Sequence, residues 1–118
     1  MYLGYCDRKM KVYHISGYTG GAYKSQRKIF QCYTMGSDVN GRNAWYSNDG
    51  KKAIWWYPRY KDWQIGDRED LGSNIRRAKA HKDVYCPNKV GGYIWEYYDG
   101  NQMVDAGRGL GVGEGHRC

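Results

Sequence analysis

Within this chain, the 24 residues Asn43–Gly66 (NAWYSNDGKKAIWWYPRYKDWQIG) leave the fold the least freedom, because they hold four of its five tryptophans and three tyrosines. Asp49-Gly50 divides them into two runs of strand-forming residues. Asp-Gly favours a two-residue type I′ turn, whose central positions both need φ > 0, so a β-hairpin is expected. The turn fixes a register: Asn48 opposite Lys51, Tyr46 opposite Ala53, Trp45 opposite Ile54, Ala44 opposite Trp55 and Asn43 opposite Trp56. One face then carries Trp45, Ile54 and Trp56, and the other Ala44, Tyr46, Ala53, Trp55 and Tyr57. Both faces are aromatic, more than one core uses, so the surplus is either covered by another layer or open to a ligand.

The remaining composition supports an all-β chain. Leu occurs three times, Gly 17 times and Phe once, against thirteen Tyr and five Trp. A helical bundle requires more Leu and Ala and less Gly. A chain of 118 residues buries one core, so a single domain over 1–118 is expected, a small antiparallel barrel or sandwich built from hairpins.

Cys6, Cys32, Cys86 and Cys118 are widely spaced with no Cys-x-x-Cys pair, so two disulfides are favoured over a metal site, with Cys6–Cys118 and Cys32–Cys86 preferred among the three connectivities. Disulfides imply an oxidising, extracellular setting. No apolar signal region follows Met1, so a secreted form would be the mature chain with an added Met or one lacking its signal. There is no transmembrane run.

Along the chain, Lys11–Ile15 reads as a strand ended by Ser16-Gly17, with Lys11, Tyr13 and Ile15 on one face and Val12 and His14 on the other. Ile29–Tyr33 reads as a second strand, Gly36–Gly41 as a loop with an Asn-Gly turn, and Trp63–Gly66 as a strand after Pro58. Ser73–Lys82 is the one segment with helical character, Ser73 capping a short helix through Ala80. Asp67, Glu69 and Asp70 lack calcium-loop spacing and read as a solvated acidic loop. A second hairpin is expected at Asp99-Gly100, with Trp95 opposite Val104 and an inner face of Tyr93, Trp95, Tyr97, Val104 and Ala106. The tail Gly107–Gly115 has Gly at every second position. In an extended strand one face is then bare, which lets an aromatic ring lie flat on it, and a closing strand beneath the tryptophans is expected.

Nineteen Lys+Arg against twelve Asp+Glu give +7, a balance that suits polyanionic partners. Sugars present flat C–H patches that stack on aromatic rings and hydroxyls that need polar partners. The segment Trp55, Tyr57, Arg59, Tyr60, Asp62 and Trp63 offers both, and these six residues are the candidate ligand-binding set. A secreted lectin-like module taking glycans, anionic ones included, is the leading expectation. The alternatives are a structural or protein-interaction module of matrix or defence, and a cationic binder of nucleic acid or membranes, with nucleic acid ranked below glycans. No cofactor, metal or catalytic function is expected: His14, His81 and His116 stand far apart in sequence, and the basic run Arg76–Lys82 around His81 suits phosphate contact better than base catalysis.

Overall fold

The computed structural model describes residues 6–14, 20–116 and 118. It is all-β. Its strands are β1 (Lys9–Tyr13), β2 (Cys32–Met35), β3 (Trp45–Ser47), β4 (Lys52–Tyr57), β5 (Asp62–Asp67), β6 (Ala78–His81), β7 (Trp95–Tyr98), β8 (Met103–Asp105) and β9 (Gly111–Glu114). They form one antiparallel sheet in the order β8-β7-β6-β5-β4-β3-β2-β1-β9, curled into a half-barrel. The first eight strands meander, each beside its predecessor, and β9 returns to pair with β1 through Tyr13↔Gly111 and Met10↔Glu114. One short helix, α1 (Gly21–Ser25), and four single 3₁₀ turns complete the described residues.

The main core lies on the inner face. Met10 and Val12 supply it from β1, Tyr33 from β2, Trp45 from β3, Ile54 and Trp56 from β4, Trp63 and Ile65 from β5, Ala78 and Ala80 from β6, and Trp95 from β7. Trp63 stands at the centre, with ring centroids 6.0 Å from Trp45 and 5.5 Å from Trp56, both edge-on. Edge-to-face contact of this kind adds about 0.5–1.5 kcal/mol per pair beyond area burial. The indole N–H groups of Trp45 and Trp63 donate to backbone carbonyls, those of Asp7 at 2.9 Å and Val84 at 2.7 Å. The Arg42 guanidinium lies 3.7 Å over the Trp56 ring while donating to the Val84 carbonyl and to Asp83.

The first hairpin has the expected register, Trp45↔Ile54 and Tyr46↔Ala53. Its turn is not type I′, because Gly50 is at φ +77 while Asp49 is not at positive φ. Instead Asp49 accepts from the Ser47 hydroxyl and the Lys51 N–H, bonds that hold its carboxyl below the usual range. The type I′ geometry belongs to Asn40-Gly41, at φ +55 and +86, between the mutually bonded Val39 and Arg42. In the second hairpin the pairing is Tyr97↔Val104 and Glu96↔Asp105, two residues from the expected Trp95–Val104. The Asp99 carboxylate takes the N–H groups of Asn101 and Gln102, which moves the loop centre onto Gly100-Asn101. Because the shift is even, the faces are preserved: Trp95 and Ala106 are buried, although Tyr93 at the strand entrance is exposed.

Further expectations are corrected. Ser73–Ala80 forms no helix; its second half is β6, whose Ala-Lys-Ala-His sequence alternates buried and outward positions. The strand expected at Ile29–Tyr33 starts at Cys32, Ile29 closing a 3₁₀ turn. The disulfides are Cys6–Cys86 and Cys32–Cys118. The two chain ends do approach, but on opposite faces. Cys6 packs against the inner core, while Cys32 stands opposite the outward Lys11, and the Cys118 sulfur lies 3.0 Å from where a Gly115 Cβ would be. The closing strand is present, and its glycines do bare one face, but the ring lying on them is Tyr13, within 3.2 Å of the Cβ positions of both Gly111 and Gly113, and no tryptophan. Ile15 and Ser16-Gly17 lie outside the described residues.

Candidate functional site

In an antiparallel pair, directly opposed residues share a face. The pairs Tyr57↔Asp62 and Asp62↔His81 therefore make one row across the outer face of β4, β5 and β6, and Trp55↔Gln64 with Gln64↔Lys79 make the next. Residues 71–77 cross this face as a strap. The Trp55 indole donates to the Ser73 carbonyl at 3.0 Å and the Gln64 amide to Asn74 Oδ1 at 2.8 Å. Trp55 is fully buried in a second, small apolar cluster with Ala44 and Ala53, flanked by Val39, Tyr46 and Leu71.

The six candidate residues thus divide. Trp55 and Trp63 have 0% exposure and Asp62 has 3%, so the placing of Trp55 among the ligand-binding residues is corrected: the strap covers it. Trp63 points inward because strand alternation places it on the core face. Tyr57, Arg59 and Tyr60 remain accessible at the β4–β5 turn. The Tyr57 and Tyr60 rings are 5.7 Å apart, and the Arg59 guanidinium lies 5.6 Å from the Tyr60 centroid.

Beside Tyr60 a groove of about 380 Å³ opens, lined by Tyr60, Asp62, Asn74, Arg76, Lys79 and His81. His81 Nδ1 lies 2.8 Å from the Tyr60 carbonyl and 3.0 Å from Asp62 Oδ1. A carbonyl oxygen only accepts, so Nδ1 carries the hydrogen and Nε2 is left for other contacts. The His81 side chain is 75% exposed over the buried Asp62 carboxylate. Arg76 donates through one terminal nitrogen to the Asn74 carbonyl at 2.8 Å, while its buried Nε has no partner among the described residues. Gln64 Oε1, beside the same Asn74, is likewise unpaired. Three basic side chains and a tyrosine ring converge over a single carboxylate that His81 already engages, an arrangement suited to holding an anion.

The acidic trio Asp67, Glu69 and Asp70 brings its oxygens within 4.8 Å of one another. Asp67, however, is taken by Lys52 at 2.8 Å and by a two-pronged Arg77 at 2.7 and 2.9 Å. The Arg77 bonds first, and those of Lys52 after them, hold its carboxyl down to about 2.

Asn74, Arg76 and Lys79 were not among the expected site residues. Their signal lay in the period of two in Ala78–His81, which sends Lys79 and His81 to one face, hidden by the good helix propensity of Ala, Lys and Arg. No helix among the described residues is long and apolar enough to cross a membrane. Comparison with protein-family models, curated proteins and solved structures finds no match.

Proposed function

We propose that this protein is a secreted, non-catalytic binder of anionic glycans, and that the groove beside Tyr60 is its contact surface. The observation that carries the reading is the convergence of Arg76, Lys79 and His81 beside an accessible tyrosine ring. A sulfate or carboxylate is drawn by the positive charge of Arg76 and Lys79, and Tyr60 supplies an apolar face for the sugar ring next to it. Two disulfides suit an oxidising compartment. Of the residues expected from sequence, Tyr60 lines this groove as a direct contact and Asp62 as the group that orients His81, while Tyr57 and Arg59 stand beside Tyr60.

Calorimetric titration with a sulfated oligosaccharide and its desulfated counterpart tests this. The sulfated form is expected to bind, more weakly at 1 M than at 0.1 M salt, since the Debye length falls from about 10 Å to about 3 Å. Lys79→Gln is expected to weaken binding about tenfold, the scale of one charge-assisted contact, with an unchanged circular dichroism spectrum. Equal affinity for both oligosaccharides, or none for either, overturns the proposal.

A further inference from the structure

A second cleft, sharing no residue with the groove, lies where β9 meets the segment between β6 and β7. It measures about 220 Å³ and is lined by Tyr13, Asn88, Tyr93 and Arg108 over Leu110 and Val112, with glycines between them. That volume is below the roughly 300–1,000 Å³ of pockets for drug-sized ligands, so it admits one ring rather than a chain.

Its construction is specific. Tyr93 is held at φ +67, in the left-handed region, and the residue is 67% exposed. A non-glycine residue there is strained, and strain persists where the surroundings impose it, frequently at binding sites. Gly91 and Gly107, at φ +89 and +55, turn the backbone on either side of the cleft. Tyr13, 38% exposed, is fixed against the bare Gly111 and Gly113. Two tyrosine rings thus flank a floor of buried Leu110 and Val112. The polar groups are few and placed: Asn88 donates its amide to Asp7 at 3.4 Å, while its buried Oδ1 has no donor among the described residues, and the Arg108 side chain is exposed at the rim.

We propose that this cleft is a second binding site, which takes a single neutral pyranose, such as the terminal residue of a glycan. The tyrosines stack on the C–H faces of the ring, and the polar side chains of Asn88 and Arg108 meet its hydroxyls. Arg108 is the one cation among the described residues that line the cleft, which selects by shape and hydroxyl pattern rather than by charge. The assignment stands independently of the anionic groove.

The test is an amide-resolved NMR titration of the full chain with the methyl glycosides of glucose, galactose, mannose, fucose and N-acetylglucosamine. Saturable shifts are expected for at least one of them, confined to Tyr13 and residues 88–93 and 107–113. Tyr93→Gly removes the ring and relieves the backbone, so the fold is retained, and it is expected to weaken that binding about tenfold. Lys79→Gln is expected to leave it unchanged, which separates this site from the groove. Absence of saturable shifts with all five sugars overturns the proposal, as do shifts that Tyr93→Gly leaves unaltered.

Discussion

Trp55 and Tyr60 sit five residues apart on one hairpin and have opposite duties. Trp55 is wholly buried, with its N–H on the Ser73 carbonyl, and the backbone beneath is fitted to it: a Cβ on Gly66 would lie 2.8 Å from its ring and 3.1 Å from the Arg76 Cα. Tyr60 is 48% exposed. Trp55→Ala is therefore expected to destabilise the protein by about 3–5 kcal/mol, through lost burial and a cavity that the strap cannot fill. Tyr60→Ala is expected to change stability by less than about 0.5 kcal/mol and to reduce glycan affinity. Denaturant midpoints for the two variants, read beside the same titration, decide the matter; a Trp55→Ala protein as stable as the parent would show that the strap does not depend on this ring.

At the scale of elements, the strap over β4–β6 is anchored at its exit by Asp67 between Lys52 and Arg77. The folded Asp67 carboxyl lies near 2, below its ordinary 3.8. Its contribution is thus fully present above about pH 4 and is lost as pH falls through 4 towards 2. Asp67→Asn is expected to be less stable at pH 6 and to lose less on acidification, so that the two proteins converge near pH 2. Other lowered carboxyls, Asp49 and Asp99 among them, titrate in both proteins and cancel. Urea midpoints at pH 6, 4 and 2 that run parallel would remove Asp67 from this role. The strap is also where the sequence was least readable. Strand alternation and the Trp45↔Ile54 register were legible because they depend on neighbours and a turn. What covers Trp55 depends on a loop folding back across the sheet through Ser73 and Asn74, and no local period encodes that. The same holds for the groove: Tyr60 was visible as an aromatic beside basic residues, whereas Arg76 and Lys79 join it only once β6 is known to lie against β5. The alternate glycines of Gly107–Gly115 announced a bare face, but which ring would occupy it was a property of β9 pairing with β1.

For the whole molecule, the half-barrel has β8 and β9 as its edge strands among the described residues, and closure depends on cross-links between distant parts of the chain. Cys6–Cys86 and Cys32–Cys118 span 80 and 86 residues, loops whose closure is worth about 4–5 kcal/mol each in the chain-entropy account. That is a large part of the 5–15 kcal/mol by which a domain is usually stable. Their placement on opposite faces gives them different tasks. Cys6–Cys86 ties the entrance of β1 to the turn preceding the Tyr93 cleft, while Cys32–Cys118 straps the end of β9 across the outer face of β1. Since β9 also forms one wall of that cleft, replacing Cys32 and Cys118 together with Ser is expected to lower stability by about 4 kcal/mol and to loosen the wall. Trypsin should then cut at Arg108 much faster than in the parent, and the shifts induced by the methyl glycoside that binds should weaken, while the groove on β5 and β6 retains its affinity for the sulfated oligosaccharide. If Arg108 stays protected and the denaturant midpoint is unmoved, pairing with β1 and the Tyr13 ring hold β9 without the cross-link. Loss of both ligands together would instead mean that the sheet unfolds as one unit.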